Sequence, residues 1–516
     1  MDNPDFFTNG YTTSGTSTNP FFSNSLNTVK KSGDEYKMAY AYYEYSWNGS
    51  ALIRSIVEVP VTLEPVGDGI LGGEDGTSLW FVFKDTVVRQ EGMSLNYNTH
   101  FILLDGAQLS FGGTLAVERG VSLYIHSQSF GARMGKLVVT GTEHNAAIGG
   151  WKDGPAGRIV IYGGDITANG GAEGAGIGGG DEDSGFQEIC ICDGIVRATG
   201  GELGAGIGYG DNNCDDASTY GGVINIYGGT ITATGGEDAA GIGGGQEVRC
   251  GPINIYGGAI TARGGEGGAG IGTGSRYEIA GSPFTQNVVG VDKITINGGT
   301  IDAKGGKYGA GIGTGYYILD HYEVFINDGS ITARGGEYAA GIGGGQVSSG
   351  PDRLEINGGR IRAYGGIDGA GIGSGEEATT GYINGGDIYI YGGDIYAEGS
   401  DNGAGIGGGD DSKGANVYIY GGTVEAKAGV EAAGKGGNAF GSSDDEDGTL
   451  EFHATNTHNN KTHYYKVSAG SSSNSLSPVN YQNQVNACWG NSYAKVEPCT
   501  SHNYEGNICT WCGHTK

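Results

Sequence analysis

The sequence predicts an all-β protein built as a right-handed parallel β-helix, a solenoid of about 30-residue coils with a capping element at each end. Three observations predict this fold. The string Ala-Gly-Ile-Gly recurs along the chain, Gly supplies 108 of the 516 residues, and short runs alternate apolar and polar residues. That alternation is the period of a half-buried strand. A collagen-like helix is excluded, because the chain has only 10 Pro and its Gly residues do not recur at every third position.

Each unit holds three short runs separated by Gly-rich turns. The repeated string is preceded by Ile-x-Ile with Tyr or Asn and then Gly-Gly, and by x-Ile-x-Ala. Three strands of this kind would form one coil. The eight copies of the string are Ala175–Gly178, Ala205–Gly208, Ala240–Gly243, Ala269–Gly272, Ala310–Gly313, Ala340–Gly343, Ala370–Gly373 and Ala404–Gly407.

The register of the repeats predicts ladders of identical side chains. The first strand ends on Ile in all nine units, from Ile161 to Ile419, and the second carries Ile or Val two residues before Ala, as at Ile166 and Ala168. Stacked coils would place these residues about 4.8 Å apart. A ninth copy of the string carries Lys435 in place of Ile. Because burying a Lys is unfavourable, the helix is predicted to end there.

Composition along the chain divides it into three parts. Residues 1–80 are rich in Ser, Thr, Asn and Tyr and are expected to form an N-terminal β cap. Residues 81–437 are the predicted β-helix, with irregular coils to about 150 and nine Gly-rich repeats after it. Residues 438–516 are expected to form a C-terminal cap with a small Cys/His module.

The charge balance excludes some partners. With 58 acidic and 29 basic residues the net charge is −29, which is the wrong sign for nucleic acid. No apolar run is long enough to span a bilayer. The first residues lack a basic and an apolar signal segment, which fits either an intracellular protein or a mature region. Because the rest of the chain has an extracellular character, we expect a secreted or cell-surface protein whose signal peptide is absent from this sequence.

Three segments resemble a family of secreted Gly-rich repeat proteins of Gram-positive gut bacteria. They are Leu103–Ala107, Ser122–Ser129 and Asn145–Gly150, and the resemblance extends over about residues 100–436. It implies a surface-associated, carbohydrate-binding protein of parallel β-helix fold. Parallel β-helices also include lyases, glycosidases and adhesins, so the fold alone does not select a function.

The C-terminus carries a candidate zinc site formed by Cys499, His502, Cys509 and Cys512. Two pairs with two intervening residues each suit a tetrahedral ion. The alternative is a disulfide, Cys509–Cys512 or Cys488–Cys499. Either role would be structural, because four protein ligands leave no open position.

Acidic residues suggest calcium as a second cofactor. A ladder of Glu173, Glu202, Glu237, Glu266, Glu337 and Asp401 precedes the repeated string and is interrupted by Lys307 and Ile367. Calcium prefers such oxygen ligands, and an acidic solvated face is the alternative. The loop candidates for calcium are Asp181, Asp183, Asp211, Asp215, Asp410 and Asp411.

Tyrosines in the last coils are candidates for stacking on sugar rings. They are Tyr389, Tyr391, Tyr396, Tyr418 and Tyr420, and the alternative is packing between strands. In the middle coils the corresponding position is Asn297, Asn327 and Asn357, which predicts a hydrogen-bonded ladder. Cys190 and Cys192, two apart in one strand, are predicted to point outward.

The leading functional hypothesis is a non-catalytic protein that binds polysaccharide or acts as an adhesin through one face of the rod. The alternative is a lyase or glycoside hydrolase that uses loop carboxylates. The catalytic candidates are Asp320 and His321, as a base and its partner, together with Glu266 and Glu337. A purely structural spacer is a third hypothesis.

Overall fold

Stacked three-stranded coils build the protein, which is a parallel β-helix. The computed structural model describes residues 28–32, 35–39, 41–48, 51–67, 70–129, 131, 133–152, 154–182, 185–211, 221–276, 290–376, 385–429, 438–441, 448–453, 465–489 and 491–515. Each complete coil gives one strand to each of three long sheets. Successive coils pair in parallel register, as in Ile177 with Ile207 and Ile207 with Ile242.

The strand bounds follow the repeat. The first sheet starts with antiparallel Glu64–Gly67 and Ile70–Glu74 and continues in parallel through Ser78–Phe83, Asn98–Leu103, Ser122–Ser127, Ala156–Ile161, Phe186–Ile191, Val223–Ile226, Ile253–Ile255, Lys293–Ile296, Glu323–Ile326, Arg353–Ile356, Asp387–Ile390, Asn416–Ile419 and Leu450–Phe452. The parallel strands of the second sheet are Thr86–Arg89, Gln108–Phe111, Lys136–Thr140, Asp165–Asn169, Ile195–Thr199, Thr230–Thr234, Ala259–Arg263, Thr300–Lys304, Ser330–Arg334, Arg360–Tyr364, Asp394–Glu398 and Thr423–Lys427. The third sheet consists of Met93–Leu95, Leu115–Val117, Ile148–Gly149, Ile177–Gly178, Ile207–Gly208, Ile242–Gly243, Ile271–Gly272, Ile312–Gly313, Ile342–Gly343, Ile372–Gly373, Ile406–Gly407 and Phe440–Gly441.

The remaining elements are short. Antiparallel pairs join Thr28–Ser32 to Glu35–Ala39, Ala41–Trp47 to Leu52–Glu58, and Tyr504–Glu505 to Ile508–Cys509, while Arg249–Cys250 pairs in parallel with Gly290–Val291. The described part of the chain has one α-helix, Gln484–Trp489, and 3₁₀ turns at Ser473–Ser475 and Tyr481–Asn483. No helix among these residues has the length and apolarity needed to cross a bilayer.

The interior of the rod confirms the predicted ladders. Ile161 to Ile419 at the ends of the first-sheet strands are fully buried, and the second-sheet pairs such as Ile166 and Ala168 are buried with them. Full burial of an Ile side chain contributes about 2 to 3 kcal/mol. Each coil thus adds a thin apolar layer, which is how a Gly-rich chain builds one continuous core.

Glycine is required where the third-sheet strands end. Gly313 has φ +137, and a Cβ placed on it would lie 2.0 Å from the carbonyl oxygen of Gly343 in the next coil. The corresponding glycines in the neighbouring coils share this conformation. Any larger residue would therefore both strain the backbone and separate the coils.

The C-terminal end differs from the prediction made for Lys435. Phe440, not Lys435, pairs with Ile406 in the third sheet, and Phe440 is buried. Lys435 lies in residues 430–437, outside the described part of the chain, and the residue that continues the ladder after Ile406 is Phe440. The short string placed Lys435 at the ladder position, whereas the buried apolar residue at that position is Phe440, five residues later.

Two antiparallel strands, followed by a short third one, then cover the exposed edge of the second sheet. Tyr493–Pro498 pairs with Thr423–Lys427, Tyr465–Gly470 pairs with Tyr493–Pro498, and Ser477–Pro478 follows. The reversed strand places Val496 opposite Val424 and Ala494 opposite Ala426. The cap therefore continues the apolar ladders while closing an edge that would otherwise pair with other chains.

An N-terminal hairpin covers part of the outer surface. Cys190 and Cys192 point away from the rod core, as expected, but they are buried at 6% and 4% exposure against Tyr162 and Tyr45. The hydroxyl of Tyr45 donates to Asp193 at 2.8 Å. Spacing within the repeat could not predict this burial, because Tyr45 lies far away in sequence.

Candidate functional site

The C-terminal module brings together all four predicted metal ligands. Cys499, His502, Cys509 and Cys512 each offer one ligand atom, and these atoms lie within 4.8 Å of one another. Nδ1 of His502 lies 3.6 Å from Sγ of Cys499 and 3.4 Å from Sγ of Cys512. A tetrahedral ion with bonds of about 2.0 Å to N and about 2.3 Å to S separates its ligand atoms by about 3.5 to 3.8 Å. The side chains are therefore arranged to hold a metal ion.

Backbone geometry around Cys509 supports a thiolate. Burial acts to raise the pKa of the Cys509 thiol, but hydrogen bonds from the backbone of Trp511, from His502 and from Cys512 lower the pKa to about 6. A deprotonated sulfur is the form that binds metals. Gly513, at φ +73, turns the chain so that its N–H donates to the carbonyl of Cys509.

The module is attached to the cap through polar contacts. Nε2 of Gln484 donates to the carbonyls of Tyr465 and Trp511 at 2.9 and 2.6 Å. The ammonium of Lys466 lies 4.8 Å from the centre of the Trp511 ring. Cys488 is buried in the main core, and it and the three module cysteines are free thiols, so the disulfide alternative is not what this structure contains.

A second candidate site runs along one edge of the rod, where side chains vary from coil to coil. One row lies in the turns between the second and third sheets: His144, Glu173, Leu203, Asp238, Gly267, Tyr308, Tyr338, Asp368 and Asn402. The other row lies in the loops after the third sheet: Lys152, Asp181, Asp211, Gln246, Ser275, Tyr316, Gln346, Glu376 and Asp410. We call the two rows together the variable edge.

A repeated backbone contact fixes the geometry of the variable edge. From Asp181 to Asp410, the N–H of each loop-row residue donates to the carbonyl of the turn-row residue one coil below, as in Gln346 to Tyr308 at 2.8 Å and Glu376 to Tyr338 at 2.9 Å. Successive side chains in a row are therefore about 4.8 Å apart. The uniform Ile, Ala and Gly positions thus hold the two rows of varying side chains at a fixed spacing.

The structure corrects the acidic ladder at Glu173. Ile177 pairs with Ile207, which aligns Glu173 with Leu203 and places Glu202 opposite Ala172. Glu173 therefore belongs to the turn row of the variable edge, and the ladder itself begins with Glu202. Glu173 stands two residues before its Ala-Gly-Ile-Gly string, whereas Glu202 stands three before its own. In a solenoid, a shift of one residue places a side chain in a different row.

Aromatic residues that the sequence reading missed cluster at the middle of the variable edge. The rings of Tyr308 and Tyr338 stack at 5.8 Å with 12° between their planes, and Tyr316 lies 5.4 Å from Tyr308 at 48°. The ammonium of Lys307 lies 4.9 Å from the Tyr308 ring. All three Tyr side chains are partly exposed. These tyrosines could have been found in the sequence by comparing, in every coil, the residues four before and four after the third-sheet Ile.

Planar polar groups continue from the aromatic cluster. Nε2 of Gln346 donates to Glu376 at 2.6 Å, and Nδ2 of Asn402 donates to Asp368 at 2.8 Å. Burial raises the pKa of the Glu376 and Asp368 carboxyls, although these hydrogen bonds act in the opposite direction. Along the variable edge, amide and carboxyl groups therefore follow the partly exposed tyrosine rings.

The tyrosines proposed to stack on sugars use their ring faces on each other. Tyr389 stacks on Tyr418 at 4.9 Å and Tyr391 on Tyr420 at 4.8 Å. His453 covers the free face of Tyr420 at 4.2 Å, and the guanidinium of Arg353 lies 4.5 Å from the Tyr389 ring. The two columns of stacked rings, Tyr389 with Tyr418 and Tyr391 with Tyr420, therefore present ring edges rather than ring faces to solvent.

Tyr396 and the middle-coil asparagines form hydrogen bonds within the protein. The hydroxyl of Tyr396 donates to Glu398 at 2.7 Å. Nδ2 of Asn327 donates to Asn297 and Nδ2 of Asn357 donates to Asn327, both at 2.8 Å. The predicted asparagine ladder is confirmed.

The catalytic candidates are not gathered into one site. His321 contacts Asp352 at 2.7 Å rather than pairing with Asp320, and the His321 side chain is 90% exposed. Burial raises the pKa of Asp320. Glu266 and Glu337 lie two coils apart, about 10 Å along the rod, with Lys307 between them.

The predicted calcium residues are dispersed. Asp181 and Asp211 are buried, Asp410 is partly exposed and Asp411 is exposed. Asp183 and Asp215 lie outside the described residues. Among the residues that the structure describes, the groups that could hold a metal are the C-terminal tetrad and the set His144, Glu173 and Asp181.

Comparison with known proteins agrees with the architecture. The Beta helix repeat family model matches residues 159–181, 224–246, 253–275, 294–316, 326–346, 354–376, 388–410 and 417–439. A search of the curated proteins and a search of the solved structures return no match. Both the repeat matches and the stacked sheets lead to the same conclusion: the chain is a parallel β-helix repeat protein.

Proposed function

We propose that this protein is a secreted or cell-surface rod that binds polysaccharide along the variable edge without cleaving it. The observation that carries the proposal is the cluster of Tyr308, Tyr316 and Tyr338 beside Gln346 and Glu376. Tyrosine combines apolar area with a hydroxyl, and it loses little conformational entropy on binding. Amide and carboxyl groups supply the hydrogen bonds that sugar hydroxyls require.

The regular spacing favours a polymer over a small molecule. Side chains of the variable edge repeat about every 4.8 Å over successive coils, so one long ligand could contact several coils at once. Weak contacts repeated along one chain add up to a high overall affinity. Several basic residues of the second sheet are already paired with carboxylates, Arg263 and Arg334 with Asp302 and Arg362 with Asp394, which makes them weaker candidates for an anionic polymer.

We further propose that the C-terminal tetrad binds structural zinc. Three sulfurs and one imidazole nitrogen form a donor set typical of closed zinc sites. Bound zinc would hold together a module that has only one two-residue hairpin of its own. Calcium at the acidic loops stays a prediction without a gathered ligand set.

A polysaccharide pull-down with the full chain tests the proposal. Soluble and insoluble plant, host and bacterial polysaccharides would be incubated with the protein in calcium and in EDTA. The same samples would be assayed for new reducing ends and for the ultraviolet absorbance of unsaturated products. Retention without product supports the proposal, whereas product formation would identify an enzyme, and retention of no polymer would contradict glycan binding.

A further inference from the structure

One corner of the variable edge gathers a second set of metal-ligating side chains. His144 and Glu173 occupy the turn row of two neighbouring coils, and Asp181 occupies the loop row of the upper coil. Nδ1 of His144 contacts Oε2 of Glu173 and lies 3.4 Å from Oδ2 of Asp181. One ligand atom from each residue lies within 4.8 Å of the other two.

Backbone contacts hold this set in place. The N–H of Asp181 donates to the carbonyl of His144 at 2.8 Å, and the N–H of Glu173 donates to the carbonyl of Glu143 at 3.2 Å. Oδ1 of Asp181 accepts the N–H of Glu182 at 2.7 Å, which turns Oδ2 toward His144. The Asp181 side chain is only 5% exposed. The ligand atoms are therefore oriented before any ion arrives.

From this arrangement we infer that His144, Glu173 and Asp181 bind a divalent first-row transition-metal ion. Imidazole together with carboxylates suits zinc and its neighbours, whereas calcium takes oxygen ligands alone. Three protein ligands leave coordination positions open. His144 and Glu173 are partly exposed, so those positions face solvent along the edge.

Lys152 offsets part of the negative charge of this set when no ion is bound. Its ammonium lies 3.3 Å from Oδ2 of Asp181 and 3.1 Å from Oε1 of Glu182. The Lys152 side chain is 40% exposed, so it can turn to Glu182 and solvent when an ion takes its place. Removing this competing charge should strengthen metal binding.

Equilibrium dialysis of the full chain against zinc chloride, with metal analysis, tests the inference. We expect wild type to bind one equivalent more than His144→Ala, and Glu173→Gln to bind the extra ion at least tenfold more weakly. Lys152→Ala should bind it as tightly as wild type or more tightly. His321→Ala is the matched control, because His321 also contacts a carboxylate, Asp352, but lies several coils away, and this variant should match wild type.

A second variant separates this site from the C-terminal tetrad. Cys512→Ser should lose the tetrad ion while keeping the ion at His144, and the double variant with His144→Ala should lose both. Circular dichroism of each variant verifies that the β-helix is retained. Equal zinc stoichiometry in wild type, His144→Ala and Glu173→Gln would overturn the inference, and it would leave the glycan proposal and the zinc tetrad untouched.

Discussion

The rings of Tyr308 and Tyr338 lie nearly parallel in neighbouring coils, 5.8 Å apart at 12°, with the Lys307 ammonium beside them. The turn-row positions on either side of this pair are Gly267 and Asp368, so no further ring of that row stacks on it, whereas His453 covers the Tyr391–Tyr420 stack. The pair therefore provides the natural anchor for a glycan on this edge.

Replacing Tyr308 or Tyr338 by Ala should weaken binding of the retained polysaccharide by about tenfold or more. Each change removes ring area from the centre of the contact, where aromatic truncation commonly costs 1 to 3 kcal/mol or more. Affinity electrophoresis of the folded variants measures the loss. Tyr389→Ala is the control: it breaks the stack with Tyr418, and equal weakening there would argue against the variable edge.

Gly313→Ala should destabilise the rod by about 3 kcal/mol or more. Its Cβ would lie 2.0 Å from the Gly343 carbonyl oxygen, in a backbone conformation that Ala avoids. Gly154→Ala should change stability by less than about 0.5 kcal/mol, because no heavy atom lies within 4 Å of its added Cβ. Urea unfolding compares the two, and equal midpoints would contradict the close stacking of coils.

Acid should destabilise the N-terminal coils through His100. Burial lowers the pKa of His100 to about 4, and its Nδ1 lies 3.0 Å from Nε2 of His126. Between pH 6.5 and 4 the unfolded chain binds a proton that the folded chain excludes, so stability falls as pH falls through this window. The free energy of unfolding should be about 2 kcal/mol lower at pH 5 than at pH 7.

The variant His100→Phe isolates this effect. It keeps a ring between Trp80 and Tyr124 but cannot take up a proton. Denaturation midpoints measured at pH 7 and pH 5 should differ less in the variant than in wild type. An identical pH dependence in both proteins would show that His100 does not contribute.

Metal removal should unfold the C-terminal module and leave the rod intact. A chelator or Cys509→Ala removes the contact that holds Cys499 and His502 to the hairpin at Ile508–Cys509. Fluorescence of Trp511, which packs under Lys466, should shift to longer wavelength. The far-ultraviolet circular dichroism of the β-helix should remain. An unchanged Trp511 environment in metal-free protein would contradict a structural ion.

Sequence reading predicted the repetitive part of the fold because each coil repeats the same physical solution. Ile226, Ile231 and Ala233 are buried in the register that alternation indicated. The tetrad was also predictable, since its four ligands lie within 14 residues of one another. Both kinds of feature depend on local spacing alone.

What sequence reading missed depends on contacts between distant residues or on exact register. Tyr45 buries Cys190 and Cys192 from nearly 150 residues away. Phe440, rather than Lys435, occupies the ladder position after Ile406, because that position requires a residue that can be buried and not one that resembles the string. Glu173 moved to the variable edge through a one-residue offset, and with it the neighbours His144 and Asp181 came into view.

Hydrogen–deuterium exchange with and without the retained polysaccharide would locate the bound polymer on the rod. If the polymer lies along the variable edge, we expect protection in the turns at 307–309 and 337–339 and in the loops at 315–317, 345–347 and 375–376. Protection confined to the outer faces of the first or second sheet, or to the columns of Tyr389 and Tyr420, would contradict binding at the variable edge.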